Sequence, residues 1–210
     1  MPGSDKLQRT FYTRETLIVA RELLGQRLVS IQDGVRTSGI IFETEAYIGT
    51  GDMGCHARSG RTTRNEAMWG PAGFLYVYFT YGMHWMLNLV TEAEGFPAAV
   101  LLRAILPQEG LAEMRRRRKY KPDRILTNGP AKLCQALDID GQLNGLDSTQ
   151  ADSPVFIERM PVVENQFIST GARIGLNSVP EPWKSIPWRF LYKPAASANL
   201  SSELSPSPAP

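Results

Sequence analysis

The sequence predicts a fold that mixes α-helices with antiparallel β-strands. Residues 26–48 have the pattern of a β-hairpin with a turn at Asp33-Gly34, and residues 74–90 have that of a second hairpin, which reverses at Gly82. Apolar residues recur at helical spacing in three other segments: residues 14–24, 107–120 and 130–137. With 210 residues, of which 42% are hydrophobic, the chain can form one large domain or two small ones.

Charge and cysteine content narrow the class of protein. Lys and Arg number 23 against 21 Asp and Glu, which gives a net charge of +2. A nearly neutral total does not exclude nucleic-acid binding, because a local basic face is what matters. Two cysteines are too few for a disulfide framework, and neither a signal peptide nor an apolar run of membrane-spanning length is evident. We therefore expect an intracellular protein that is not embedded in a membrane.

The first predicted helix has the pattern of a structural element. Thr13 is the expected N-cap, Glu15 falls in the first turn, and Gly25 ends the pattern. The apolar positions at helical spacing are Leu17, Ala20, Leu23 and Leu24. They predict one face that packs against the core.

The stretch Val35–Ile48 combines an apolar strand pattern with two carboxylates. Strict alternation puts Glu43, Glu45 and Tyr47 on one face. The residues expected on the other face are Ile40, Phe42, Thr44, Ala46 and Ile48. Because a glutamate in apolar surroundings must be paired or have a raised pKa, such a residue is a candidate general base. The alternative is a half-exposed strand whose acids face water.

Residues 49–73 form a long irregular segment, and long loops often carry function. Cys55 and His56 are adjacent in this segment, but they lack the ligand spacing of a zinc site. A single loop histidine more often serves as a hydrogen-bonding residue. We therefore predict no metal site here.

The hairpin at residues 74–90 is rich in aromatic and β-branched residues, which favour strands. Its reversal at Gly82 places Tyr81 and Met83 near the tip. Such large side chains would face water unless something covers them. Either the tip packs on the core, or it forms a wedge that enters a stack of nucleic-acid bases.

A single arginine interrupts the apolar strand predicted at residues 98–105. This residue, Arg103, requires an anion if it is buried. Glu45 or a phosphate group would serve, and so would a purely structural salt bridge.

Two further segments could contact phosphate groups. Residues 115–119 are basic, although a solvated helix C-terminus explains them equally well. Pro130 begins the next predicted helix, and free backbone N–H groups with Lys132 suit either a phosphate or a plain capped helix. Cys134 falls on the apolar face of that helix, where we expect it to be inert.

Both ends of the chain are predicted to be flexible. Residues 1–9 are polar, and residues 195–210 are rich in Ser, Pro and Ala, a composition that does not form a core. The folded domain would span residues 10–194 and end with short strands at residues 155–157 and 190–191.

Several of these residues occur together in one known family. The sequence resembles the alkyladenine DNA glycosylases, also called methylpurine or 3-methyladenine DNA glycosylases, over about residues 13–192. The motifs that carry the resemblance are Glu43-Thr44-Glu45-Ala46-Tyr47, His56-Ala57-Arg58, Tyr76-Val77-Tyr78, Tyr81-Gly82-Met83, Asn88, Leu101-Leu102-Arg103-Ala104 and Gly129-Pro130-Ala131-Lys132-Leu133-Cys134-Gln135-Ala136-Leu137. Each motif is weak alone, but the set in this order is highly specific.

The resemblance implies an α+β fold: a single compact domain around a curved, mainly antiparallel β-sheet, with flanking helices and a protruding β-hairpin. It implies a monomeric, DNA-associated enzyme of base-excision repair that needs no metal or cofactor. Such an enzyme flips an alkylated or deaminated purine out of double-stranded DNA. The expected lesions are 3-methyladenine, 7-methylguanine, hypoxanthine and ethenoadenine. An activated water then hydrolyses the N-glycosidic bond and leaves an abasic site.

The resemblance also implies roles for the residues at the matching positions. Glu45 would be the general base, and Arg103 would orient Glu45, the water and the sugar-phosphate. Tyr47 and Tyr78 would stack on the flipped base, with His56 on the same side as Tyr47.

The remaining positions concern specificity and DNA contact. Asn88 would line the pocket and disfavour the extra amino group of guanine. Tyr81 would fill the gap left by the flipped nucleotide, with Met83 beside it. A backbone carbonyl near Ile174 would hold the water. His84 departs from the aromatic residue expected in close relatives, so the contact of the hairpin with DNA stays open.

Two other functions fit part of the pattern. A nucleoside or sugar hydrolase would use Glu43 and Glu45 as paired carboxylates, but it would not need Tyr81 and Met83 at an exposed tip. A non-catalytic module that binds damaged bases would retain the aromatic residues but would not need Glu45.

Overall fold

The structure, a computed structural model, describes residues 6–193. In this range the fold is α+β, as predicted, with four α-helices around an eight-stranded, mainly antiparallel open sheet. The helices are α1 (Arg9–Tyr12), α2 (Thr16–Glu22), α3 (Leu111–Arg117) and α4 (Pro130–Leu137). The strands are β1 (Arg27–Gln32), β2 (Val35–Ile48), β3 (Leu75–Thr80), β4 (His84–Val90), β5 (Ala98–Glu109), β6 (Val155–Glu158), β7 (Ile168–Gly171) and β8 (Arg189–Tyr192). No helix of the described part has the length and apolarity needed to cross a bilayer.

The sheet has a central strand, β2, and two unequal faces. Its strand order is β3-β4-β5-β2-β1-β6, and β8 pairs with both β2 and β7. Helices α2 and α4 cover one face, where the main hydrophobic core lies. Alternate residues of β3, such as Val77 and Tyr76, point to the main core and to a smaller second cluster. The second cluster, which includes Cys55, Met68 and Tyr76, surrounds the candidate site.

Two opposed irregularities interrupt the pairing of β2 with β5. Between Ile41 and Glu43 the register skips Phe42 on β2, and the next step skips Arg103 on β5. The prediction of strict alternation is therefore wrong in the first half of β2: Ile41, not Ile40 or Phe42, joins the main core. Such bulges bend a strand and redirect its side chains, and they are frequent next to active sites.

Both predicted hairpins are confirmed. Asp33 and Gly34 connect β1 and β2 with positive φ angles of 52° and 78°. Tyr81, Gly82 and Met83 connect β3 and β4, and the φ angles of Tyr81 and Gly82 are 52° and 65°. Glycine adopts this conformation at no steric cost, but Tyr81 adopts it against the preference of an L-residue.

The prediction for the first helix is correct in its packing and wrong at its start. Thr13 follows the short helix α1, and α2 begins only at Thr16. The Thr16 N–H donates to the Glu92 carboxylate at 3.1 Å, so a distant acid caps this helix. As predicted, Ala20, Leu23 and Leu24 are completely buried; Leu17 packs on the same core.

The predicted helix at residues 107–120 is partly strand. Strand β5 continues to Glu109, and α3 begins after Gly110, which has a φ of 73°. Pro107 lies opposite Gly39, where the register of the ladder shifts. Proline has no N–H to donate, and such an irregularity is one of the few places where a sheet accepts it. The N1 position predicted for Pro130 in α4 is confirmed.

The chain ends differ in part from the predictions. Leu7 is buried in the main core, and its N–H donates to Ile157, so the flexible N-terminus does not extend through residue 9. Strand β7 was missed because it contributes no buried residue and hence no apolar pattern. The flexibility predicted for residues 1–5 and 195–210 concerns segments that lie outside the described residues.

Candidate active site

Glu45 is a buried carboxylate with two hydrogen-bond donors and one ion-pair partner. It lies on β2 between β5 and β8 and is completely inaccessible to solvent. The Ile174 N–H donates to Oε1 at 2.7 Å, and the Tyr47 hydroxyl donates to Oε2 at 2.8 Å. Arg103 Nη1 lies 3.3 Å from Oε1. Burial raises the pKa of Glu45, while Arg103 and the two neutral donors act in the opposite direction.

Glu43 is held differently from Glu45, although the two residues share one guanidinium. Arg103 Nε donates to Glu43 Oε1 at 2.9 Å, and Arg189 Nη1 lies 3.3 Å from the same oxygen. The charge of Glu43 is therefore offset by two arginines. Of the anions considered as partners of Arg103, the structure shows carboxylates: the guanidinium contacts both Glu43 and Glu45. The bulge at Arg103 in β5 makes this double contact possible.

A cavity of about 200 Å³ opens beside this cluster. The predicted site residues that line it are Tyr47, His56, Tyr78, Tyr81, Asn88 and Arg103. Glu45 is not exposed to the cavity, but Arg103 and Ile174, which contact it, are part of the wall. Four strands, the loop that follows β2 and the connection between β3 and β4 thus bring the predicted residues to one place.

His56 and Tyr78 form one wall, which corrects the predicted placement of His56 beside Tyr47. Their ring centroids are 4.5 Å apart in an edge-to-face arrangement, so no base can lie between them. His56 Nδ1 is 2.8 Å from the Tyr76 hydroxyl. Burial, together with the charges of Arg64 and Arg58, lowers the pKa of His56 to about 4, so its ring is neutral at physiological pH.

Asn88 is oriented by the backbone of the neighbouring strand. Its side chain is buried, and Nδ2 donates to the Tyr76 carbonyl at 3.0 Å. One amide N–H is thereby committed to the sheet, and Asn88 is part of the cavity lining. A role in excluding guanine stays a prediction.

The tip of the hairpin is exposed. Tyr81 is 81% accessible and Met83 is 68% accessible, so neither residue packs on the core. Of the two alternatives offered for this tip, core packing is therefore excluded. His84, at the start of β4, is also exposed.

The sequence alone did not reveal the buried ion pair behind Tyr47. Arg173 donates to Asp52 through Nη1 at 2.5 Å and through Nη2 at 2.8 Å. Its guanidinium carbon lies 4.6 Å from the centroid of the Tyr47 ring. A signal was present, since Asp52 is an acid in an otherwise uncharged stretch just after an apolar strand. Its partner is 121 residues away, however, and no local pattern identifies it.

A sequence model of the methylpurine-DNA glycosylase family matches residues 10–196 of the chain. The match covers most of the chain and includes every residue of the cavity. The chain belongs to this family.

Proteins of several bacteria are similar to it over nearly their whole length, and each carries the name "Putative 3-methyladenine DNA glycosylase". The protein of Chlorobaculum parvum is 45% identical over 185 residues, which cover 88% of this chain and 86% of that protein. The protein of Carboxydothermus hydrogenoformans is 46% identical and covers 89% and 95% of the two chains. For Chlamydia pneumoniae the identity is 42%, with 93% and 100% covered.

Membership in a DNA glycosylase family implies that the substrate is DNA. The cysteines contribute packing and capping instead of chemistry. Cys55 Sγ accepts from the Ala57 N–H, and burial raises the pKa of Cys55 to about 11 and that of Cys134 to about 12. Within residues 6–193, no group of three or more His, Cys, Asp or Glu side chains could hold a metal ion.

Proposed function

We propose that this glycosylase flips damaged purines out of double-stranded DNA and hydrolyses their N-glycosidic bond with a water activated by Glu45. The observation that carries the proposal is the state of Glu45: buried, raised in pKa, and held by two hydrogen-bond donors and the Arg103 guanidinium beside an aromatic cavity. A carboxylate offers about four acceptor sites. Two are occupied by the hydrogen bonds from Tyr47 and Ile174, so an acceptor site is left for a water.

The pKa of Glu45 suits a general base. A raised pKa strengthens a carboxylate as a proton acceptor, provided that it is still ionised at the working pH. The positive charge of Arg103 and the two neutral donors favour the ionised form. Because Glu45 is closed to solvent, the attacking water would enter past Arg103 and Ile174 as the nucleotide occupies the cavity. A contribution of the Ile174 carbonyl to binding this water stays a prediction; its N–H is used by Glu45.

The aromatic side chains would hold the flipped base. Tyr47 would contact one face, and the contacting pair of His56 and Tyr78 would form the opposite wall. Stacking on such rings replaces part of the stacking lost from the duplex. The exposed Tyr81, with Met83 beside it, would fill the gap left in the helix.

Charge around the cavity bears on which lesions are accepted. Aromatic faces attract cations, which would favour N-alkylated purines. However, Arg173 lies 4.6 Å from the Tyr47 ring centroid, and Arg64 lies 5.6 Å from that of Tyr78. The Arg64 guanidinium offsets part of that attraction, whereas the charge of Arg173 is paired with that of Asp52. We propose that neutral lesions such as ethenoadenine and hypoxanthine are accepted alongside 3-methyladenine and 7-methylguanine. All residues in this proposal come from one chain, so a monomer suffices.

The direct test is incubation with duplex DNA that contains 3-methyladenine or ethenoadenine at one position. Release of the free base, together with an alkali-labile abasic site, supports the proposal. Binding that enhances ethenoadenine fluorescence without base release would instead support a non-catalytic damage-binding module. An undamaged duplex of the same sequence is the control.

A sugar hydrolase with two catalytic carboxylates fits the geometry poorly. Such enzymes place their carboxyl groups on either side of the bond that breaks. Here Glu43 and Glu45 contact the same Arg103 guanidinium, and Glu43 has a second arginine partner. The pair therefore cannot flank a substrate in this arrangement.

A further inference from the structure

The buried ion pair between Arg173 and Asp52 adjoins the residues that hold Glu45. Both side chains are completely inaccessible to solvent. A buried ion pair is weak evidence of a stabilising role, since the cost of desolvating both charges offsets much of their attraction. The location of the pair is better explained by the neighbouring residues that it holds in position around Glu45.

Arg173 contacts or adjoins three residues that surround the carboxylate. Its Nη1 donates to the carbonyl of Ala46, the residue that follows Glu45, at 2.9 Å. Its guanidinium packs on the ring of Tyr47, whose hydroxyl donates to Glu45. Its backbone leads directly to Ile174, whose N–H is the second neutral donor to Glu45.

Asp52 holds the loop around it close to the Arg173 guanidinium. Its carboxylate accepts from the N–H groups of Ile48, at 3.2 Å, and Gly54, at 2.8 Å. A Cβ added to Gly54 would lie 2.7 Å from both Arg173 Nη2 and Leu176 Cδ1. The loop therefore approaches so closely that only glycine fits without displacing the arginine.

We propose that Arg173 and Asp52 are positioning residues for the general base, because together they fix the Tyr47 hydroxyl and the Ile174 N–H against the Glu45 carboxylate. This inference rests on the proposed function, in which Glu45 activates the water. Both donors favour the ionised carboxylate, and both determine which acceptor site stays free for the water. Substitutions of Arg173 or Asp52 thus change the ionisation and the orientation of the Glu45 carboxylate, while Glu45 itself is unaltered.

Other groups also act on the ionisation of Glu45 and are kept unchanged in the experiment. The charged and titratable groups that face it, directly or through Glu43, are Glu43 and Tyr47 on β2, Tyr78 on β3, Arg103 on β5 and Arg189 on β8.

The experiment measures the single-turnover rate of ethenoadenine excision from duplex DNA as a function of pH. Three variants are compared with the unaltered chain: Arg173→Lys, the neutral double variant Arg173→Gln with Asp52→Asn, and Gly54→Ala. We expect the rate at neutral pH to fall by about 10- to 100-fold, as for a small misplacement of a catalytic group. We also expect the acid limb of the profile to move to higher pH, because the loss of donors raises the pKa of Glu45 and keeps it protonated up to a higher pH. Affinity for the lesion duplex should fall less than the rate, because Tyr47 keeps its ring in the cavity.

A control comes from a partly exposed ion pair at the other end of β2. Arg36 Nη2 lies 2.9 Å from Glu158, and the double variant Arg36→Gln with Glu158→Gln removes both charges. It should lower stability without moving the pH profile. If the Arg173 variants behave like this control, the positioning role is overturned. Gly54→Ala keeps both charges and serves the comparison if the neutral double variant does not fold.

Glu45→Gln separates this inference from the proposed function. Normal excision by Glu45→Gln would refute the general base, and the positioning role would fail with it. An inactive Glu45→Gln protein, combined with unmoved pH profiles in the Arg173 and Gly54 variants, would refute only the positioning role.

Discussion

Arg103 contacts Glu45 although it is the one residue in this part of β5 that has no partner on β2. The guanidinium Nη1 lies 3.3 Å from Glu45 Oε1, while Glu43 and Thr44 pair with the residues on either side of Arg103. If the pairing of β2 with β5 were regular, the direction of the Arg103 side chain would follow from strict alternation along β5. The bulge therefore lets one arginine contact both carboxylates of the strand.

The first prediction concerns which of the two carboxylates is the base. Glu45→Gln should retain binding to lesion DNA and lose excision by a factor of at least ~10², because an amide cannot accept the proton from water. The matched variant Glu43→Gln removes the acid partner of Arg189 and one of the two acid partners of Arg103, so it should lower stability and reduce the rate less. Single-turnover rates and affinities for both variants check this. An active Glu45→Gln protein beside an inactive Glu43→Gln protein would transfer the role to Glu43.

The second prediction concerns the wedge. Tyr81→Gly should fold normally and gain slightly in stability, because an exposed residue with a φ of 52° is strained unless it is glycine. It should lose flipping and excision on well-paired lesions and lose less on mismatched ones, where extrusion costs less. Ethenoadenine fluorescence in duplex DNA and the melting temperature are the measurements.

The chain supplies a closely matched control for this variant. Tyr120 is 77% accessible and has a φ of 55°, so Tyr120→Gly changes the same residue type in the same backbone conformation. It should leave flipping unaffected. Equal losses in both variants, or normal flipping by Tyr81→Gly, would remove the wedge assignment.

The third prediction is that His56 stays neutral throughout the working pH range. Its pKa, lowered to about 4 from a usual 6.5, can be followed by NMR, since the chain has only two histidines and His56→Gln identifies the signal. Between about pH 6.5 and 4 the unfolded chain binds a proton here that the folded chain does not. The contribution of His56 to stability is thus present above pH 6.5 and lost as the pH falls through that window. Titration near pH 6.5 would show the prediction to be wrong.

The fourth prediction is that excision needs no metal. A water activated by Glu45 requires none, and the described residues contain no cluster suited to hold one. Activity after dialysis against EDTA should equal that of the untreated protein. Loss of activity with EDTA, followed by recovery on addition of zinc, would contradict this.

The elements that the sequence determined are those fixed by local chemistry. The Asp33-Gly34 turn, the helix that begins at Pro130 and the hairpin reversal at Gly82 follow from backbone preferences of a few neighbouring residues. The contact of Tyr47 with Glu45 also follows locally, since residues two apart on a strand share a face.

Only the tertiary structure decided the features that join distant parts of the chain. The Glu92 carboxylate caps α2 from 76 residues away, and Arg173 meets Asp52 across 121 residues. The paired bulges that place Arg103 depend on how two long strands share their hydrogen bonds, which no single strand specifies. Local preference fixes turns and faces. Burial, by contrast, depends on which segments pack together, so the topology of the sheet decided that Glu45 is completely buried and Tyr81 is not.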